Sequence, residues 1–234
     1  MTTKLKAANL NATYSADQFL KTSAAGALSW GAIAAGGGFA GVQVYTGDGT
    51  WTKATRESAL GVTITKVIIE VQGGGGGGAL GPSGYSTWQQ CGSAGGYAKK
   101  FINVSSISSS TITVGVAGAG RTGSGDAGHD GGDSSWVDGT NTVTGVKGVG
   151  SYGNYTIATG GAATGGDINI KGGDGVGGQY TKAGSSPLGD GGHSGWNTQP
   201  VSTAGSGYGS GGGANYIGSA SDGAPGIVIV WEYK

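Results

Sequence analysis

The sequence is poor in charge, proline and cysteine. Lysine and arginine number 13, as do aspartate and glutamate, so the formal net charge is zero and charged residues are 11% of 234 positions. Without a basic excess there is no electrostatic footprint for nucleic acid or an anionic lipid surface, and neither is expected as a partner. One cysteine, Cys91, excludes an intrachain disulfide framework, and no Cys/His spacing resembles a zinc site. No run of about 18 apolar residues is present to span a membrane. No apolar run follows Lys4 and Lys6 either, so neither a signal peptide nor an anchor is expected. Apolar residues reach only 36%, which argues against a large conventional core.

What the chain has is glycine: 56 residues, of which residues 1–72 hold 9, residues 73–226 hold 47 and residues 227–234 none. Only 4 prolines and no strict every-third-residue period exclude a collagen triple helix. A flexible linker lacks apolar punctuation, yet Trp88, Tyr97, Trp136, Tyr152, Tyr155, Tyr180, Trp196, Tyr208 and Tyr216 interrupt this region. Aromatics at that density argue for packing.

Strand signals frame the glycine. Val62–Gln72 alternates Val67, Ile69 and Val71 with Lys66, Ile68 and Glu70, then runs straight into Gly73–Gly78. Lys99–Val104 and Thr111–Val116 read as strands joined by a serine-rich link, Ile227–Trp231 closes the chain, and Val42–Thr46 is a further candidate. Apolar residues recur at helical spacing only in Ser15–Leu20, where Ser15 is a candidate cap for one turn. The body, residues 41–234, is therefore expected to be all-β. Residues 1–40, rich in alanine, are too thin to form their own core and read as an extended N-terminal arm, disordered or ordered against a partner.

Gln18–Trp30 (QFLKTSAAGALSW) resembles a short motif near the start of many bacteriophage tail fibre proteins. From Tyr45 onward the chain is similar to the glycine-rich domain of phage tail fibre and tail tip proteins. The stretches that carry the likeness are Tyr45–Lys53, Val67–Gly78, Gly92–Val104, Thr111–Gly120, Gly131–Gly139 and Gly223–Tyr233. One departure is Lys53-Ala54 after Trp51-Thr52, where that family often has proline, so a different turn is expected before the first long strand. The resemblance implies a small antiparallel β-sandwich carrying either long glycine-rich loops or polyglycine-II-like layers, in which backbones lacking Cβ atoms lie side by side. It also implies a homotrimer in the virion tail, docked to tail or adaptor proteins through the arm and binding a host surface glycan or protein. Ordering so much glycine costs conformational entropy, which dense backbone hydrogen bonding, flanking strands and neighbouring copies must offset.

Candidate contact residues follow from loop composition. Tyr85, Trp88 and Gln89 in Pro82–Gln90, and Trp196 and Asn197 in Gly191–Pro200, combine flat rings with amides and hydroxyls, as adaptable binding loops do. The competing role for any such ring is core filling. Asp126, Asp130, Asp133 and Asp138 offer oxygen ligands for calcium but fit no calcium-loop spacing, and aspartate favours turns for its own reasons. His129 and His193 sit in related surroundings, GHDGGDSSW and GDGGHSGW; in a trimer either, near the axis, would supply a three-nitrogen metal site. Both are otherwise ordinary exposed loop histidines, and no metal or cofactor is expected. Cys91 reads as a free thiol with no base beside it.

Enzymatic readings find little support. No Gly-Lys-Ser/Thr follows the glycine runs to make a phosphate loop. A polysaccharide depolymerase needs paired carboxylates, and the only glutamates are Glu57, Glu70 and Glu232, two of them in expected strands. Aspartates within 126–138 or 167–190 remain for such a role. A binding module of the virion tail is the favoured expectation, with a structural tail or capsid decoration protein as the alternative and a depolymerase behind it.

Overall fold

The computed structural model describes residues 18–22, 28–32, 38–80, 90–123, 127–151, 157–177, 181–195, 202–215 and 218–234. In chain order these form β1 (Gln18–Thr22), β2 (Leu28–Ala32), β3 (Phe39–Tyr45), β4 (Gly49–Thr52), α1 (Lys53–Leu60), β5 (Lys66–Gln72), β6 (Tyr97–Asn103) and β7 (Ser109–Thr113). There follow β8 (Ser134–Val137), β9 (Thr142–Gly145), β10 (Ala163–Thr164), β11 (Ile168–Ile170), β12 (Gly189–Asp190), β13 (Ser206–Gly207) and β14 (Ile227–Tyr233). All the named strand pairings are antiparallel, and the described body is mostly β, as expected.

Two five-stranded sheets carry the apolar core, one in the order β11-β6-β5-β14-β3 and the other β10-β9-β8-β7-β4. Period-two alternation explains both. In β5, Val67, Ile69 and Val71 are fully buried while Lys66 is exposed. Val228 and Val230 of β14, paired in register with Val71 and Ile69, extend the same buried face. The other sheet contributes Trp51, Ile112, Trp136 and Val143, and the two tryptophan rings meet with centroids 5.4 Å apart. Both are fully buried, so Trp136 fills core.

Three expectations need correction. The long strand starts at Lys66, with Val62–Thr65 outside it. An eight-residue helix, α1, occupies Lys53–Leu60 and so begins at Lys53-Ala54, where a different turn was expected. Six of its eight residues, all but Thr55 and Ser58, are good helix formers, Gly61 closes it in the left-handed conformation at φ 66°, and the Glu57 carboxylate accepts the Ile64 N–H at 2.8 Å. No residue of α1 is buried, so apolar periodicity had nothing to report. In the arm, Gln18–Leu20 belongs to β1, which pairs with β2 in the register Leu20↔Trp30, instead of a helical turn; Ser15–Asp17 lie outside the described residues.

Beyond the sheets the chain runs in extended segments whose hydrogen bonds repeat every third residue. The N–H groups of Gly73 and Gly76 reach Gly96 and Ser93, those of Gly74 and Gly77 reach Gly132 and His129, and those of Gly75 and Gly78 reach Ala224 and Ser221. Carbonyls of the same run accept from 118–121, 148–151 and 212–215. Segment 73–79 thus has six neighbours, where a strand in a sheet has two. Segments 90–96 and 209–215 are bonded in the same way to six neighbours each. Around these three runs a closed ring of nine segments follows, successive members bonded to each other: 115–121, 127–132, 146–151, 157–162, 171–177, 181–186, 189–195, 202–205 and 220–226.

Close approach is what demands glycine here. A Cβ on Gly75 or Gly77 would lie far inside 3.0 Å of the Ser210 or Ala119 carbonyl oxygen. Positive φ is not the reason, since among the described glycines only Gly61, Gly139, Gly165, Gly207, Gly209 and Gly218 show it.

Candidate functional site

The molecule has two unlike ends. Gly38, from which β3 starts, accepts the Lys234 N–H at the end of the first sheet away from the glycine body. The glycine segments leave the opposite end, after Gln72 and before Tyr97 and Ile227, so they carry the chain away from Gly38. Their far ends are tied together: Ala79 N–H bonds to Gln90, Ser151 to Gly77, Arg121 to Gly78, Ser194 to Thr181 and Gly195 to Ala214, and Leu80 bridges Asn215. Six connections therefore start and finish at this end, joining residues 80 and 90, 123 and 127, 151 and 157, 177 and 181, 195 and 202, and 215 and 218.

Tyr85, Trp88, Gln89, Trp196 and Asn197 all fall in these connections and lie outside the described residues, as do Asp126, Tyr152, Tyr155, Tyr180 and Tyr216. Of the aromatics that interrupt the glycine, Tyr97, Trp136 and Tyr208 are described; the first two are buried and Tyr208 is half-buried. Burial, with Glu70 beside it, pushes the Tyr97 phenol well above its ordinary range.

His129 and His193 are exposed and sit on ring segments that are not neighbours. No group of three or more His, Cys, Asp or Glu side chains able to hold a metal occurs among the described residues. Cys91 is fully buried beside Ala214 and Ala183, and burial pushes its thiol up, away from the reactive thiolate.

The aspartates have a role that turn propensity describes only in part. Asp138 does hold a turn: its carboxylate accepts Thr140 N–H at 2.9 Å, Asn141 N–H at 2.6 Å and Trp136 Nε1–H at 2.9 Å in the β8–β9 hairpin. Asp130 and Asp133 instead reach across to the next segment, accepting Gly150 N–H and Lys147 N–H, each at 2.8 Å. Asp174 does the same for Gly160 at 2.8 Å, and Asp222 for Gly120 at 2.7 Å. A ring segment has outward donors with no further segment to receive them, and an unpaired backbone N–H is costly. Carboxylates on the adjoining segment satisfy them. The readable signal was the three-residue spacing of Asp130 and Asp133, which matches the hydrogen-bond repeat.

These bonds set an acid limit. At Asp130 and Asp138 the burial penalty is outweighed, by Gly150 and Lys147 in the first and by Trp136, Asn141 and Thr140 in the second, so both carboxyls titrate below the ordinary range. The Gly160 N–H, with Lys171, depresses Asp174 likewise. A carboxyl depressed in the folded state adds stability that is fully present above its unfolded value of about 3.9 and is lost as pH falls through the folded value. The melting temperature is accordingly expected to hold flat from pH 7 to about 5 and to drop below about 4. An Asp130→Asn/Asp174→Asn variant should lose part of that slope in thermal scans; an unchanged slope would sink the assignment.

No protein-family model matches the chain, and no curated protein matches it.

Proposed function

We propose that this chain is a phage tail fibre or tail tip protein that attaches the virion to the host surface. In this reading the two sheets form a small sandwich, and the glycine segments form a polyglycine-II-like lattice of three central and nine surrounding helices with three residues per turn. The arm docks to tail or adaptor proteins, the copies form a homotrimer, and the far end touches a host glycan or protein.

The observation that carries the reading is the opposition of the two ends. The arm joins the body at Gly38, and the residues from which the six connections depart lie at the other extremity. Those connections hold Tyr85, Trp88, Tyr152, Tyr155, Tyr180, Trp196 and Tyr216, with Gln89, Asn154, Asn197 and Gln199 among them. Rings supply rigid contact area at low entropic cost, and amides supply adaptable hydrogen bonds. A lattice bonded in every lateral direction gives such loops a stiff support. The third-residue repeat of the hydrogen bonds supports the lattice, and the capping of ring donors by aspartates leaves those carboxylates occupied, which favours binding over depolymerase chemistry.

Adsorption measured together with thermal unfolding tests this. Trp88→Ala and Trp196→Ala should each weaken host binding by about 1 to 3 kcal/mol and leave melting nearly unchanged. Adsorption equal to the parent would favour the decoration protein, and early unfolding would make the rings structural. Release of reducing ends from host polysaccharide would favour the depolymerase.

A further inference from the structure

The outer faces of the two sheets differ in chemistry. Residues turned outward on the β10-β9-β8-β7-β4 sheet are mostly hydroxyl-bearing, Thr50, Thr111, Thr113, Ser135, Thr142 and Thr144, around Val137. The outer face of the other sheet carries Phe39, Val42, Val44, Phe101, Ile168 and Ile170, each between 42% and 59% exposed. Register places them on one side: Val42 opposes Trp231, Trp231 opposes Ile68, Ile68 opposes Phe101, and Ile168 opposes Lys99. Phe39 joins them, its ring 6.2 Å from Trp231 and 6.0 Å from Tyr233.

Four strands of seven residues and one of three, about 4.8 Å apart and about 3.3 Å per residue, give a face of roughly 500 Å². That is near the largest apolar patch usually left on a monomer. Two such faces in contact bury on the order of 1,000 Å², where a specific interface begins to be stable. The charge at the centre of the face is already neutralised, because Glu70 accepts from Lys99 Nζ and from Trp231 Nε1, both at 3.1 Å. Lys66 is exposed on the same side but sits at the end of β5, opposite Tyr233, so the middle of the face presents no unpaired charge to a copy of itself.

We propose that this face is the surface on which copies of the chain pack against one another, around an axis parallel to its strands. The proposal rests on the homo-oligomer part of the attachment reading and locates its interface. The strands run from the arm end to the glycine end, so an axis along them sets all arms at one extremity and all far connections at the other. An axis across the strands would point the far ends of the copies in opposite directions.

The full chain is measured by analytical ultracentrifugation at about 10 µM, with circular dichroism as the folding control. The parent should sediment as an oligomer. Phe101→Glu/Ile168→Glu should be a folded monomer, and Thr111→Glu on the hydroxyl face should match the parent. Because the double charge change risks misfolding, Ile168→Thr provides a milder probe and should raise the dissociation constant about tenfold, the effect expected of a buried apolar contact. A monomeric parent overturns both the interface and the homo-oligomer reading, leaving the face to the arm or to a tail protein. An oligomeric parent whose dissociation constant is unmoved by Ile168→Thr overturns the interface alone. Host adsorption is a separate readout and can fail or succeed without moving these masses.

Discussion

Gly75→Ala is expected to unfold the glycine body or to cost at least about 4 kcal/mol, which is exceptional for one methyl group. Segment 73–79 is enclosed by six neighbours, so a new Cβ has no open side. At Gly75 it would strike the Ser210 carbonyl, a backbone atom that is itself held by the Ala224 N–H at 2.7 Å. A flexible side chain would swing aside; a bonded carbonyl moves only if its segment moves, and that segment, 209–215, is also enclosed by six others. Relief therefore requires separating neighbouring segments, with several backbone hydrogen bonds lost together at about 1 kcal/mol each and their groups left unpaired. Gly47→Ala is the control, since nothing lies within 4 Å of its added Cβ. It should melt within about 0.5 kcal/mol of the parent. Equal melting of the two variants in chemical denaturation would mean that the enclosed segments are not packed this closely.

The same enclosure explains how much was legible beforehand. Alternation at Lys66–Gln72, Ile227–Tyr233 and Tyr97–Asn103 is a local signal, and these strands stand within a few residues of where they were expected. β8 and β9 are four residues each, with one buried large side chain apiece, Trp136 and Val143. The Asp138-Gly139 pair between them, with Gly139 at φ 84°, was their readable mark. The six-neighbour packing was not legible. Its partners are far apart in the chain, as Gly75 and Ala224 are, and glycine has no side chain whose pattern could announce which segment it meets. The candidate contact residues were chosen from composition, and the architecture adds what composition lacks, namely that their flanking residues share one end of the molecule. The helix α1 was missed because polar contacts hold most of it, the Arg56–Glu232 ion pair above all and Lys53 Nζ to the Val104 carbonyl at 3.1 Å, while only Leu60 at its end packs against the core.

That ion pair carries the second large effect. Glu232 in β14 is fully buried and accepts from Trp51 Nε1 at 2.8 Å, Arg56 Nε at 2.8 Å and the second Arg56 nitrogen at 2.7 Å. One carboxylate thus ties α1, through Arg56, to both sheets, through its own strand and through Trp51 of β4. Arg56→Met is expected to cost about 3 to 5 kcal/mol, because it strands a buried carboxylate with one donor left. Arg56→Met/Glu232→Gln should recover part of that loss, since the neutral amide no longer needs a countercharge. Lys182→Ala offers the contrast: its partner Asp190 and Lys182 itself are both exposed to solvent, and breaking such a pair should move the unfolding midpoint far less than Arg56→Met does. Denaturant unfolding of these three variants, of Glu232→Gln alone and of the parent decides the matter. A double variant as unstable as the sum of its two single variants would show that Arg56 and Glu232 act independently, and the helix would then be held by something other than this carboxylate.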